Sequence, residues 1–163
     1  MIYRHVFVVG AVIDTIRREV RRAGRKETGG PLVGYISQDG ALVATHASGP
    51  GKNGRLRRTS VFIDGAYAQA FCDVIARESG GSLDYVGDWH RHPALSLQTS
   101  ALDVTAMQTV AASTSCPIRN PISLIYRSNL EAFTVYVLND DGNLDSVPAS
   151  ILAGIPISDA SIK

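Results

Sequence analysis

Two histidines two residues apart, His90 and His92, stand in the stretch Tyr85–Asp103, YVGDWHRHPALSLQTSALD, followed by Pro93, Ser100 and Asp103. Two imidazoles and a carboxylate are the ligand set of a catalytic zinc site with one position left for water. The spacing suits a shared ion. Residues i and i+2 lie on one face of a strand, so both imidazoles can face the same point. Ser100 and Asp103, at i and i+3, share a face near a helix start, with Thr99 the expected N-cap. A strand end, a short Pro-containing loop and a helix start must then converge. Taken singly, each residue has a plainer reading. His90 would be a surface or satisfied core histidine, Ser100 a helix-start residue, and Asp103 a first-turn acid that favours the helix dipole. Asp84 and Asp88 precede the pair on the same strand, and Asp88 shares the face of His90, as a residue that orients an imidazole would.

The run His90-Arg91-His92-Pro93, six residues, Ser100, two residues, Asp103 resembles the signature of the JAMM (JAB/MPN+) metallopeptidases. That family also requires an upstream glutamate, and Glu27 in Glu27–Ile36, ETGGPLVGYI, resembles the family's segment around it. Two motifs in this order are far more specific than a lone His-x-His. The resemblance runs from about Val6 to Val137. It implies Zn2+ held by His90, His92 and Asp103, with Glu27 taking a proton from the metal's water and returning it to a leaving amine. Ser100 would hydrogen-bond the oxyanion that forms on attack. The implied reaction is hydrolysis of an isopeptide or peptide bond after the C-terminal tail of a ubiquitin-like modifier or sulfur-carrier protein. Such a tail would lie extended against a strand edge. Activating or conjugating-type proteins are a further class of partner it admits.

Position 91 departs from the pattern: arginine stands where the family usually has a small hydroxylated residue. It should point to the opposite strand face, which spares metal binding and leaves its bearing on substrate choice. The chain lacks the long insertions of polyubiquitin-cleaving members and is similar to small prokaryotic-type ones. Trp89, Arg91 and the loop 94–99 are candidates for substrate contact, and the basic stretch Lys52–Arg58 for an acidic surface on the substrate. Two other readings stand beside this one: a non-catalytic scaffold of the same fold that has lost its metal, and a DNA-associated RadC-like protein. Every ligand position is filled, which argues against the first. The surroundings expected of the second are not evident.

The elements that must position these residues follow from periodicity. Tyr3–Val9 reads as a strand. Val12, Ile13, Ile16 and Val20 repeat at helical spacing, and Gly24 is a natural stop. Arg25–Gly30 is a loop presenting Glu27, and Pro31–Ser37 and Ala41–Ala47 read as a hairpin. Ser48–Thr59, with no apolar periodicity, reads as a flexible basic loop. Asp64 is a candidate N-cap for a helix with Tyr67, Ala70, Phe71, Val74 and Ile75 on one stripe. Leu83–Trp89 is a strand, and Leu102, Ala106, Met107, Val110 and Ala111 mark a third helix ending before Pro117. Pro121–Arg127 and Ala132–Leu138 form a hairpin across Ser128-Asn129-Leu130, and Leu144–Val147 a last strand. The expectation is an α/β (α+β) fold: one MPN/JAMM-like domain over residues 1–147, with a mixed curved sheet flanked by helices in a cytidine-deaminase-like arrangement, then a C-terminal tail over 148–163.

The 163 residues are enough for one domain with a substantial core, and 45% hydrophobic against 19% charged is ordinary for a globular protein. No apolar run approaches the ~20 residues that cross a membrane. Cys72 and Cys116 lack metal-type spacing and read as reduced thiols of a cytoplasmic protein. Net charge is +1 but uneven: residues 1–58 carry 11 Lys/Arg against 4 Asp/Glu, and the remainder 5 against 11. Such asymmetry can steer a charged partner. A nucleic-acid partner is not expected, nor is a membrane.

Overall fold

A computed structural model of the chain describes residues 2–92, 96–127, 129 and 132–153. Its backbone is a mixed eight-stranded sheet in the order β10-β1-β3-β2-β6-β7-β8-β9, curved and flanked by three helices. The α/β expectation of a curved sheet between helices therefore holds. Strand β1 (Val6–Val9) runs directly into α1 (Gly10–Ala23). The helix buries Val12, Ile13, Ile16 and Val20, the four residues at helical spacing, over β1 and β3 (Leu42–Ala47). Burying one such side chain is worth ~1.5–3 kcal/mol, so this stripe fixes the helix on the sheet. Gly24 ends it at φ 63, a left-handed conformation that glycine adopts without strain.

Strand β2 (Gly29–Ile36) is central, antiparallel to β3 on one side and to β6 (Asp84–Arg91) on the other. Gly29 lies opposite His90 in the ladder. A Cβ there would stand 2.5 Å from the Trp89 carbonyl oxygen and 3.0 Å from His90 Cβ, so only glycine lets β6 come this close. Gly30 is held to the same requirement by the Ser48 carbonyl. Beyond β6, a parallel ladder reaches β7 (Ile122–Arg127), and antiparallel ones reach β8 (Ala132–Leu138) and β9 (Leu144–Val147). Trp89, Leu32, Leu42, Ile122, Leu124 and Val135 are fully buried in the core. Helix α2 (Gly65–Glu78) lies against β2 and β6, and α3 (Ala101–Ala111) against β8.

Several local expectations change. Ser48–Thr59 is not a featureless loop: β4 (Arg55–Leu56) pairs with β5 (Val61–Phe62) as a two-residue ribbon, too short to leave a periodic trace. Asp64 caps α2, accepting from the Tyr67 amide, but the apolar stripe is misplaced. Tyr67 and Val74 are 40% and 60% exposed, while Cys72 is buried between half-buried Phe71, Ile75 and Ala76. The covered stripe includes the small residues Ala68, Cys72 and Ala76, which weigh little in an apolar periodicity, so the bulkier Tyr67 and Val74 drew the expected stripe to one side. Leu102 of α3 is likewise 61% exposed, and Met107 alone of the expected stripe is buried. Within the stretch read as a tail, Ala149–Leu152 forms β10, parallel to β1. Its alternating small and apolar residues leave a weak sequence signal, and the partner strand lies more than a hundred residues away. Pro93, Ser128 and Leu130 lie outside the described residues, as do residues 154–163. No helix among the described residues is long and apolar enough to cross a membrane.

Candidate metal centre

His90 and His92 leave the same face of β6 at its C-terminal end. Their Nε2 atoms are 2.9 Å apart, and the rings are tilted by 57°. Asp103, in the first turn of α3, closes the triangle, with Oδ1 3.2 Å from His90 Nε2 and Oδ2 3.4 Å from His92 Nε2. All three side chains are largely shielded from solvent, at 12–14% exposure. Tetrahedral bonds of ~2.0–2.1 Å set neighbouring ligand atoms about 3.3 Å apart, so this triangle matches one face of such a site, drawn slightly tight between the imidazoles. Two imidazoles and a carboxylate, with ligand atoms all within 4.8 Å of one another, are a donor set that fits a divalent ion.

The local sequence explains the convergence. The cap of α3 is Ser100, not Thr99. Ser100 Oγ accepts from the Asp103 amide at 3.3 Å, while the Ser100 amide and hydroxyl both donate to Asp103 Oδ2, at 2.6 and 2.7 Å. This reciprocal capping box orients the carboxylate before any ligand arrives. The loop ahead of it is anchored too: Tyr136 Oη donates to the Leu97 carbonyl at 2.9 Å. Burial alone would raise the Asp103 pKa, but hydrogen bonds from His90 and His92 outweigh it and hold the carboxyl well below the ordinary range. The same contact raises His92, against the opposing effect of its burial.

Glu27 reaches this centre from the other side. Continuing the β2–β6 ladder past Gly29↔His90 brings residue 27 opposite residue 92, and the Arg91 amide bonds the Thr28 carbonyl at 2.9 Å. Burial raises the Glu27 carboxyl above its ordinary value, with the charges of His92 and His90 pulling the other way. The Glu27 amide donates to the Arg57 carbonyl at 2.7 Å. Asp88 feels His90 electrostatically, and burial pushes its carboxyl up to about 6. Asp84 plays no such part: its carboxylate accepts from the Tyr85 amide at the exposed start of β6.

Two expected substrate contacts move into the interior. Trp89 is fully buried and donates from Nε1 to the Ser48 carbonyl at 2.8 Å. Arg91 is 7% exposed, on the face away from the histidines. Strand parity predicted that face; its partners, the carbonyls of Gly24 and Lys26, have no signature in the sequence.

With this geometry in hand, relatives are informative. Residues 10–139 match the family described as prokaryotic homologues of the JAB domain. The chain belongs to this family. Among curated relatives, this JAB-domain protein is similar to the probable metalloprotease y4qB of Sinorhizobium fredii, 28% identical over 121 residues, which is 74% of each chain. It is 27% identical over 122 residues to a CD-NTase/cGAS isopeptidase of Enterobacter hormaechei, covering 74% of this chain and 66% of that one. A shorter match, 33% over 78 residues, reaches an Escherichia coli protein of the same name and about half of each chain. The solution structure of DSY2949 from Desulfitobacterium hafniense superposes with a TM-score of 0.68 at 15% identity, over 93% of this chain and 95% of that one, which speaks to the fold. Homologues that bear the names metalloprotease and isopeptidase support metal-dependent hydrolysis, and the His90–His92–Asp103 cluster gives the metal a place.

Proposed function

We propose that this JAB-domain protein is a zinc-dependent peptidase that cuts an isopeptide or peptide bond after the C-terminal tail of a ubiquitin-like modifier or sulfur-carrier protein. The observation that carries the reading is the convergence of two imidazole nitrogens and a carboxylate within 4.8 Å of one another, with the Glu27 segment laid against the same strand. His90, His92 and Asp103 are the ligands. Asp103 would offer Oδ1 to the ion, since Oδ2 already accepts from the Ser100 amide and hydroxyl. When bound, zinc supplies a Lewis acid that brings the pKa of its water toward ~7 and polarises the scissile carbonyl.

The chain's own groups do the rest. Glu27, whose carboxyl burial raises above its ordinary value, accepts the proton of the attacking water and passes it to the leaving amine. Ser100 turns its hydroxyl from Asp103 toward the oxyanion, and the Ser100 amide alone keeps the carboxylate in place. One such donor is typically worth ~2.7–4 kcal/mol in the transition state. The isopeptidase names of two relatives favour a modifier conjugate as substrate over a general peptide. Modifier-tail fusions incubated with and without a chelator, read by intact mass, test the proposal. Cleavage after the tail only with metal present is the expected result; metal-independent cleavage, or none with any fusion, overturns it.

A further inference from the structure

We infer that Arg91 is a positioning residue for Glu27: it fixes the glutamate-bearing segment against the strand that carries the two histidines. The inference rests on the reading of Glu27 as the proton acceptor. Arg91 sits between His90 and His92, and its side chain passes to the other face of β6, where it is 7% exposed. There Nη1 donates to the Gly24 carbonyl at 2.5 Å and to the Lys26 carbonyl at 3.3 Å. Its backbone amide donates to the Thr28 carbonyl at 2.9 Å. One residue thus holds three carbonyls of the five-residue stretch Gly24–Thr28, with Glu27 inside the clasp.

The chemistry suits a guanidinium. Gly24 closes the C-terminal end of α1, where carbonyls lack helical partners and the helix dipole is negative. Both bonds leave one nitrogen, Nη1, whose two hydrogens are fixed in the guanidinium plane; a lysine ammonium carries donors without that fixed plane, so it replaces the contact only in part. The small hydroxylated residue usual at this position could not span the gap. The other support for the segment is the ribbon β4–β5, whose Arg57 carbonyl takes the Glu27 amide at 2.7 Å. Glu27 is therefore clamped between a ribbon above and an arginine below. A misplacement of ~1 Å at a reacting group can cost ~100-fold in rate, so this clasp is a direct lever on turnover.

Arg91→Met, which keeps the aliphatic bulk and drops the donors, and Arg91→Lys test this on the full chain. Amide exchange of residues 24–28, zinc per chain, and kcat and KM on a modifier–reporter fusion are measured for each beside Glu27→Gln. The expected result for Arg91→Met is one zinc retained, amide exchange at Glu27 faster by tenfold or more, kcat lower by ~10–100-fold, and KM within about twofold. Arg91→Lys should restore part of both losses. Unchanged exchange and kcat in Arg91→Met overturn the inference. Should that variant fail to fold, Arg91→Lys with wild-type exchange and kcat overturns it. Full activity in Glu27→Gln would instead defeat the assignment of the base, while the exchange data still decide whether Arg91 holds the segment.

Discussion

The two halves of the centre are built in opposite ways. The ligand half is local: His90, His92, Ser100 and Asp103 lie within one short stretch and are tied to one another by a capping box and direct ring–carboxylate contacts. The glutamate half is remote. Gly24–Thr28 is held largely by groups from elsewhere, the Arg57 carbonyl and the Arg91 guanidinium and amide. A metal site needs its donors convergent whether or not substrate is present, and short-range bonds achieve that. A proton acceptor must be placed relative to the metal, and one of its supports, Arg91, comes from the strand that carries the histidines, the other from the β4–β5 ribbon.

The largest effect that would test this contrast is on the ligand half. His92→Ala should lose both metal and turnover, falling to the level of chelated protein; zinc analysis beside a cleavage assay decides it. A His92→Ala protein that keeps stoichiometric zinc would break the ligand assignment. Next comes Glu27→Gln, which should keep its zinc and lose about 10²–10⁴-fold in kcat/KM, the usual worth of a positioned base.

Ser100 caps α3 and, in the proposed mechanism, also serves the oxyanion; two substitutions separate these jobs. Ser100→Ala and Ser100→Gly should each reduce kcat by ~10²–10³-fold if the hydroxyl serves the oxyanion. Only alanine should cost ~1 kcal/mol of stability, because glycine is tolerated at an N-cap for a few tenths. Denaturant melts beside steady-state rates would show it; equal rates to wild type would reduce Ser100 to a cap.

The pH profile sharpens the comparison further. Burial raises the Glu27 carboxyl in the metal-free protein, and a divalent ion beside it would pull it back down, so metal loading should move its titration to lower pH, as read by carboxyl NMR. The linkage runs the same way for stability. A carboxyl raised on folding stabilises below its unfolded pKa and loses that contribution as pH rises through its folded one. In metal-free protein that contribution is gone once the pH exceeds the folded value, and there Glu27→Gln should melt no lower than wild type. A clear drop in its midpoint would mean that Glu27 has a stabilising partner.

What the sequence made legible follows the same division. His90, His92 and Asp103 were readable because strand and helix periodicities turn spacing into direction within one stretch. Glu27 needed family resemblance: an acid beside two glycines has no local signature, and the ladder that sets Gly29 opposite His90 joins residues sixty apart. The clasp of Arg91 was hidden because backbone carbonyls look alike in every sequence. Of the β4–β5 ribbon, the β5 half falls within Ser60–Ile63, which reads as a short strand, while the two-residue β4 leaves no pattern. Trp89 reads as a candidate for substrate contact; it is fully buried, and the Ser48 carbonyl accepts its indole N–H in the core. Helix α2 misled because its covered side is lined partly by small residues, Ala68, Cys72 and Ala76, while the larger Tyr67 and Val74 are exposed.

Strand β10 has a practical corollary. It lies along the outer margin of β1, and the Val6 amide is already bonded to the Pro148 carbonyl at 2.8 Å. Clipping the polypeptide after residue 147 would strip that cover and leave a valine-rich strand with unsatisfied amides, an open invitation to pair with a second molecule. Truncations meant to shorten this protein should therefore stop no earlier than residue 153.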